Sequence, residues 1–294
     1  MNPATAARLQ DVSSKHPEWN PWLSVVGHTL AEAGNPRWEA FVPTVPRQQE
    51  HAPILAEAAI ILPIAFLSDW LNRLIRSATA AGTPQMASLR AAEKSAAQTV
   101  PLFRAALCQD TETIQQIGRD RGVDVKAFHG VAELLAIPFL QACGRRLARS
   151  DAANWLEGYC PLCGAWPALA EVRGIERARY LRCGRCGDEW RVHGLQCPFC
   201  EMNDHEQLVS LVPQNGDSGR AIEACKRCAG YVKSFTMLQG ADKLGVMIND
   251  LASVDLDMAA IEQGYRRPPG PGYFLNLTVD GSTNVLGKLF PGNR

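Results

Sequence analysis

Two hydrophobic rhythms divide the chain. Up to about residue 155, apolar positions recur three and four apart in Ala- and Leu-rich sequence, the period of a helix face. Helices are expected from Pro3 to about Val12, from the Pro17/Pro21 pair to about Ala33, and over 86–97, 100–108, 110–121 and 124–148. The strongest stripe is Leu55, Ile61, Leu62, Phe66, Leu67, Trp70, Leu71, Leu74 and Ile75. It predicts a helix over 54–78 that Pro63 should kink or split. Asp110 and Asp124 stand where N-caps are needed, Gly122 where a helix stops, and Pro138 interrupts the apolar run 131–140.

After SDAANWLEG (150–158) the period shortens to two. A hairpin is expected from 168–172 and 178–181 around Gly174, then a strand at 190–192. Strands 207–212 and 221–224 flank QNGDSGR, and 231–238 follows. Helices over 241–253 and 254–263 come next. Pro268 to Gly272 stops them, and 273–294 reads as irregular, packing back on what precedes it. The fold class is therefore helical with a small β part, divided as a helical domain 1–155, strand modules 156–194 and 195–240, and a C-terminal helical segment 241–294.

Cysteine placement says what the strands carry. Eight of ten cysteines form Cys-x-x-Cys pairs: Cys160/Cys163, Cys183/Cys186, Cys197/Cys200 and Cys225/Cys228. Nineteen residues lie between Cys163 and Cys183, the interval of a four-cysteine ribbon, and 24 between Cys200 and Cys225, slightly longer. Only ten lie between Cys186 and Cys197, so the economical pairing is one metal on 160/163/183/186 and a second on 197/200/225/228. Pro and Gly within and after the pairs suit tight turns around sulfur. Four thiolates leave no water position, so such a site is structural or electron-transferring rather than hydrolytic, with zinc and iron both compatible. A divalent metal leaves each site at −2, which Arg182, Arg185, Lys226 and Arg227 either offset or ignore as surface residues. Cys108, Cys143, His51 and His129 read as core or solvated side chains.

Composition narrows the partners. Thirty basic and 30 acidic residues cancel, and the two signs stay nearly balanced between Cys160 and Cys228. That disfavours a zinc-ribbon nucleic-acid binder, which needs a basic face. The most apolar run, 58–67, is too short to span a bilayer, and the first residues show no signal-peptide core. A cytoplasmic chain with reduced thiols is expected. No HExxH, GxSxG or P-loop pattern suggests catalysis.

The motifs GYCPLCG (158–164), LRCGRCGDEWR (181–191), CPFC (197–200), EACKRCAGYVK (223–233), NDLASVDLD (249–257) and EQGY (262–265) together resemble the bacterial formate dehydrogenase accessory protein family FdhE. That resemblance implies rubredoxin-like four-cysteine modules binding iron on all eight cysteines. It implies a non-enzymatic cytoplasmic factor acting on the catalytic subunit of respiratory formate dehydrogenase. A rubredoxin-like electron carrier is the alternative, zinc the alternative metal, and self-association is left open. Glu223, Tyr231, Lys233, Asp250, Asp257 and Glu262 match recurrent positions with no chemistry assigned.

Overall fold

A computed structural model describes residues 3–45, 50–92, 98–147, 155–192, 194–213 and 219–282. Residues 93–97 of one expected helix, 150–154 of the expected boundary, 214–218 of the QNGDSGR loop and the end of the tail lie outside that set.

The first half folds as α1 (Pro3–Lys15), α2 (Asn20–Ala33), β1 (Ala59–Pro63), α3 (Ile64–Ala80), α4 (Pro84–Ser88), α5 (Thr99–Cys108), α6 (Thr111–Asp120), α7 (Val125–Leu135) and α8 (Ile137–Arg146). Asp110 and Asp124 cap α6 and α7, accepting from the Thr113 and Ala127 N–H groups at 3.0 and 2.8 Å. Pro138 cannot donate to the carbonyl one turn back, so α7 and α8 break at Ala136. The Trp70 indole donates to the Leu135 carbonyl at that break, at 3.1 Å. The stretch Val125–Arg146 is long and apolar enough to cross a bilayer, but 78% of its apolar window is buried inside the protein, as in a core helix.

The expected helix over 54–78 begins only at Ile64, and the five residues before it are a strand. Residues 59–63 alternate, with Ile60 and Leu62 buried and Ile61 out, and Pro63 stands at the N-terminus of α3. Their partner is β8 (Thr278–Ser282), parallel, in the tail expected to be irregular. A proline tolerated at the first turn of a helix explains why α3 starts there rather than kinking. The tail packs back as expected: the Tyr273 N–H donates to the Gly164 carbonyl at 2.9 Å.

The second half holds β2 (Leu169–Arg173), β3 (Ala178–Arg182), β4 (Glu189–Val192), β5 (Leu208–Leu211), β6 (Arg220–Cys225) and β7 (Tyr231–Met237), then α9 (Gly245–Leu251) and α10 (Val254–Glu262). Each cysteine module is a three-stranded antiparallel meander, β2-β3-β4 and β5-β6-β7. The two fuse where β2 pairs with β7 in parallel, giving one sheet of order β4-β3-β2-β7-β6-β5. Arg179 on β3 reaches Glu223 on β6 across that seam at 2.6 Å.

The core is not shared equally. Cys160, Leu162, Cys163, Leu181, Cys183, Cys186 and Trp190 are continuous with the main helical core. The second module instead packs Ile222, Ala224 and Tyr231 against Leu256 and Ala260 of α10, a small separate cluster.

Candidate metal centres

All four pairs fold into one kind of knuckle. In each, the first cysteine's N–H donates to the carbonyl five residues on, at 2.8–2.9 Å: to Ala165, Asp188, Met202 and Gly230. In each, the residue four places on has positive φ: Gly164 (70°), Gly187 (74°), Glu201 (60°) and Ala229 (55°). Glycine takes that conformation freely; Glu201 and Ala229 do not, so the two knuckles of the second module are strained. Ala229→Gly is expected to stabilise the protein by about 1 kcal/mol, raising Tm by ~2–4 °C in a thermal melt. An unchanged or lower Tm would show that the turn carries no strain.

The sulfurs converge as the spacing predicts. Cys160, Cys163, Cys183 and Cys186 form one group, Cys197, Cys200, Cys225 and Cys228 another, the ligand atoms of each lying within 4.8 Å of one another. Cys160–Cys186 and Cys163–Cys183 Sγ separations are 3.5 Å; Cys197–Cys228 and Cys200–Cys225 are 3.7 Å. A tetrahedron with metal–sulfur bonds of about 2.3 Å has edges of about 3.8 Å, so both groups fit a single ion. Two four-cysteine groups that could hold metal are therefore present among the described residues. The Arg185 N–H points to Cys183 Sγ at 3.4 Å and the Gly230 N–H to Cys228 Sγ at 3.3 Å.

Electrostatics also favour a cation. Burial pushes the Cys160 and Cys186 thiols well up, while hydrogen bonds from the Cys160 and Cys163 thiols pull Cys183 down. One thiolate can share the protons of its neighbours; four buried thiolates need positive charge at their centre.

The helical half grips the first group. Ile54 and Leu55 donate to the Pro161 and Leu162 carbonyls at 2.8 and 3.0 Å, holding the first knuckle. At the second, Gln141 Nε2 donates to the Arg185 carbonyl at 3.0 Å, and Arg185 donates to the Ala106 and Leu107 carbonyls at the end of α5. Gly144 lets α8 approach: a Cβ there would lie 2.5 Å from the Cys186 carbonyl oxygen. Lys243 spans the same joint, donating to the Gly144 carbonyl.

The basic residues beside the sulfurs have other work. Arg182, 1% exposed, pairs with fully buried Glu171 at 2.7 Å, and Arg173 joins that carboxylate to Glu189. Lys226 donates to the Glu206 carbonyl at 3.0 Å, and Arg227 is exposed. Cys143 is buried on α8, and the Cys108 thiol faces the Leu275 carbonyl at 3.6 Å; neither joins a sulfur group. His51 sits 2.5 Å from Glu157, whose hydrogen bond raises its pKa, and His129 lies 3.3 Å from the Thr111 hydroxyl. Aromatic rings join the two modules instead: Tyr159 packs edge-on to Trp166, and Trp166 edge-on to Phe199 inside the third knuckle.

A second cluster escaped the sequence reading. Lys233 on β7 is fully buried, its ammonium 2.7 Å from Asp250 and 2.7 Å from Asp257. Arg267 bridges the same carboxylates, and the Tyr231 hydroxyl donates to Asp257 at 2.7 Å. Tyr231, Lys233, Asp250 and Asp257 are four of the six recurrent positions with no chemistry assigned, and with Arg267 they lock α9 and α10 to the second module.

Comparison with known proteins follows this geometry. Residues 195–275, the second module with its two helices, match the family model for the FdhE C-terminal domain. Over 117 residues the chain is 37% identical to an FdhE homologue of Pseudomonas aeruginosa, covering 37% of this chain and 38% of that protein. It is 33% identical over 116 residues to an FdhE homologue of Aquifex aeolicus (38% and 40% covered) and 34% over 113 to FdhE of Escherichia coli (37% and 35%). The matched stretch thus spans well under half the length of these curated relatives. In three dimensions the crystal structure of FdhE from Pseudomonas aeruginosa matches with a TM-score of 0.55 at 20% identity, over 92% of this chain and 94% of that one, which shows a common fold. Domain, relatives and fold together bear out the resemblance to the FdhE family read from the cysteine motifs.

Proposed function

We propose that the protein is a non-enzymatic assembly factor for respiratory formate dehydrogenase, acting in the cytoplasm on the enzyme's catalytic subunit. Its eight cysteines hold two metal ions, iron in the rubredoxin manner, that fold the platform on which the client sits. The observation that carries this reading is a cleft of about 310 Å³ where the helical half, the cysteine sheet and α9 meet. Trp22, Trp166, Phe199 and Met247 line it beside the charged Glu133 and Arg267, a mixed wall that can take a partner segment carrying both apolar and charged side chains. The first and third knuckles contribute to that wall through Trp166 and Phe199, so metal binding shapes the docking surface.

Size-exclusion chromatography of the mixed proteins tests this. The wild type is expected to co-elute with the catalytic subunit, and Trp166→Ala or Met247→Lys to weaken the complex at least tenfold with circular dichroism unchanged. Absence of co-elution, with or without oxygen, would sink the proposal. Protein purified without oxygen should carry two metal equivalents and show thiolate-to-iron absorption in the visible. A colourless zinc protein would leave the platform and remove iron from it.

A further inference from the structure

The two sulfur groups differ in ways that their shared knuckle hides. All four cysteines of the first are fully buried, whereas Cys200 and Cys228 of the second are only half-buried. The first sits in the main core with both knuckles bonded to the helical half; the second rests on a small cluster against α10. Glycine relieves the turns of the first, while Glu201 and Ala229 strain those of the second. A cavity of about 100 Å³, lined by Cys197, Phe199, Leu208, Cys225, Gly230 and Arg179, opens beside the second group. It gives a small incoming donor a way to Cys197 and Cys225, the two sulfurs of that group that solvent does not reach directly.

From these four differences we infer that the second centre is an exchange site. A thiophilic metal ion enters and leaves there, where Cys200 and Cys228 meet solvent and Cys197 and Cys225 face the cavity, while the first centre is a permanent structural pin. Exchange needs an incoming ligand to reach the metal before a sulfur departs, and solvent reaches only the second group. Dissociation there opens a strained turn and a small cluster; at the first it would open the joint between helices and sheet. The exchange chemistry is ligand substitution without electron transfer: a donor atom of the incoming thiol or chelator replaces the Cys228 or Cys200 thiolate, which takes up a proton. This rests on the reading of the eight cysteines as metal ligands.

The test uses the full chain loaded with zinc and mixed with excess 4-(2-pyridylazo)resorcinol. Release is expected in two phases of one equivalent each, with rates at least tenfold apart. The Cys200→Ser/Cys228→Ser variant should hold one equivalent and show only the slow phase. A single phase releasing both equivalents, or a fast phase surviving in that variant, would overturn the inference. Mass spectrometry after brief N-ethylmaleimide treatment separates this from failure of the metal reading. Zinc content of zero before chelator is added overturns that reading. Preferential labelling of Cys200 and Cys228 over Cys160, Cys163, Cys183 and Cys186 supports the asymmetry by itself, and uniform labelling contradicts it.

Discussion

Replacing Cys160, Cys163, Cys183 and Cys186 together by serine is expected to remove one metal equivalent and to unfold the joint between the helical half and the sheet. Structural zinc contributes on the order of 10–16 kcal/mol in finger peptides, as much as the whole stability of an ordinary domain, about 5–15 kcal/mol. Here the metal would act at the centre of the main core, where all four sulfurs are buried. Both knuckles also accept hydrogen bonds from the helical half, at the Pro161, Leu162 and Arg185 carbonyls. Four serines would leave buried hydroxyls with no ion to bind, so α5 and α8 lose their contact with the sheet as well. The matching change at Cys197, Cys200, Cys225 and Cys228 should also cost one equivalent but leave the helical half melting cooperatively, because its core is separate. Elemental analysis with thermal melts by circular dichroism reads both results. Two equivalents retained in the first variant, or identical melts for the two, would refute the pairing or the asymmetry respectively.

The sulfur groups were legible because ligand spacing is local: a knuckle and a short hairpin bring both pairs to one point, and the sequence states both lengths. The capped helices α6 and α7 were legible for the same reason. What escaped depends on partners far along the chain. Ile61 and Leu62 fit a helical stripe until β8, more than two hundred residues on, pairs beside them and turns Ile60 and Leu62 in and Ile61 out. The parallel seam between β2 and β7 leaves no mark in either strand and turns two modules into one sheet. In sequence Arg182 stands between two roles and Lys233 has none, for a different reason. A buried cation needs a carboxylate partner, and theirs, Glu171 and Asp250 with Asp257, lie on other elements, so only the fold reveals the match. Gly144 carried no signal in sequence; its need appears only where α8 meets the Cys186 carbonyl.

Lys233→Met is expected to destabilise the second module by about 3–5 kcal/mol, since removing one partner from a buried ion cluster leaves the other charges uncompensated. Methionine matches the length of the stem and fills its space, so lost packing contributes little. In the wild type two cations, Lys233 and Arg267, face two carboxylates, Asp250 and Asp257, and the cluster is neutral. Lys233 also donates to the Asp250 and Ser253 carbonyls at 2.7 and 3.3 Å, at the end of α9, so its loss frees backbone acceptors too. Arg267 is about a third exposed, and water screens its share, so Arg267→Met should cost only about 1 kcal/mol. The cluster sets a pH dependence as well. Burial works to raise the Asp257 carboxyl, but Arg267 and Lys233 prevail and hold it below the usual carboxylate value. Its contribution is therefore complete above the unfolded value of about 4 and drains away as pH falls through the depressed one. Urea unfolding at neutral pH, with hydrogen exchange followed in α9 and α10, measures the effect. A loss under 1 kcal/mol, or unchanged protection of those two helices, would mean that the small apolar contact with α10, and not the buried lysine, holds them to the sheet.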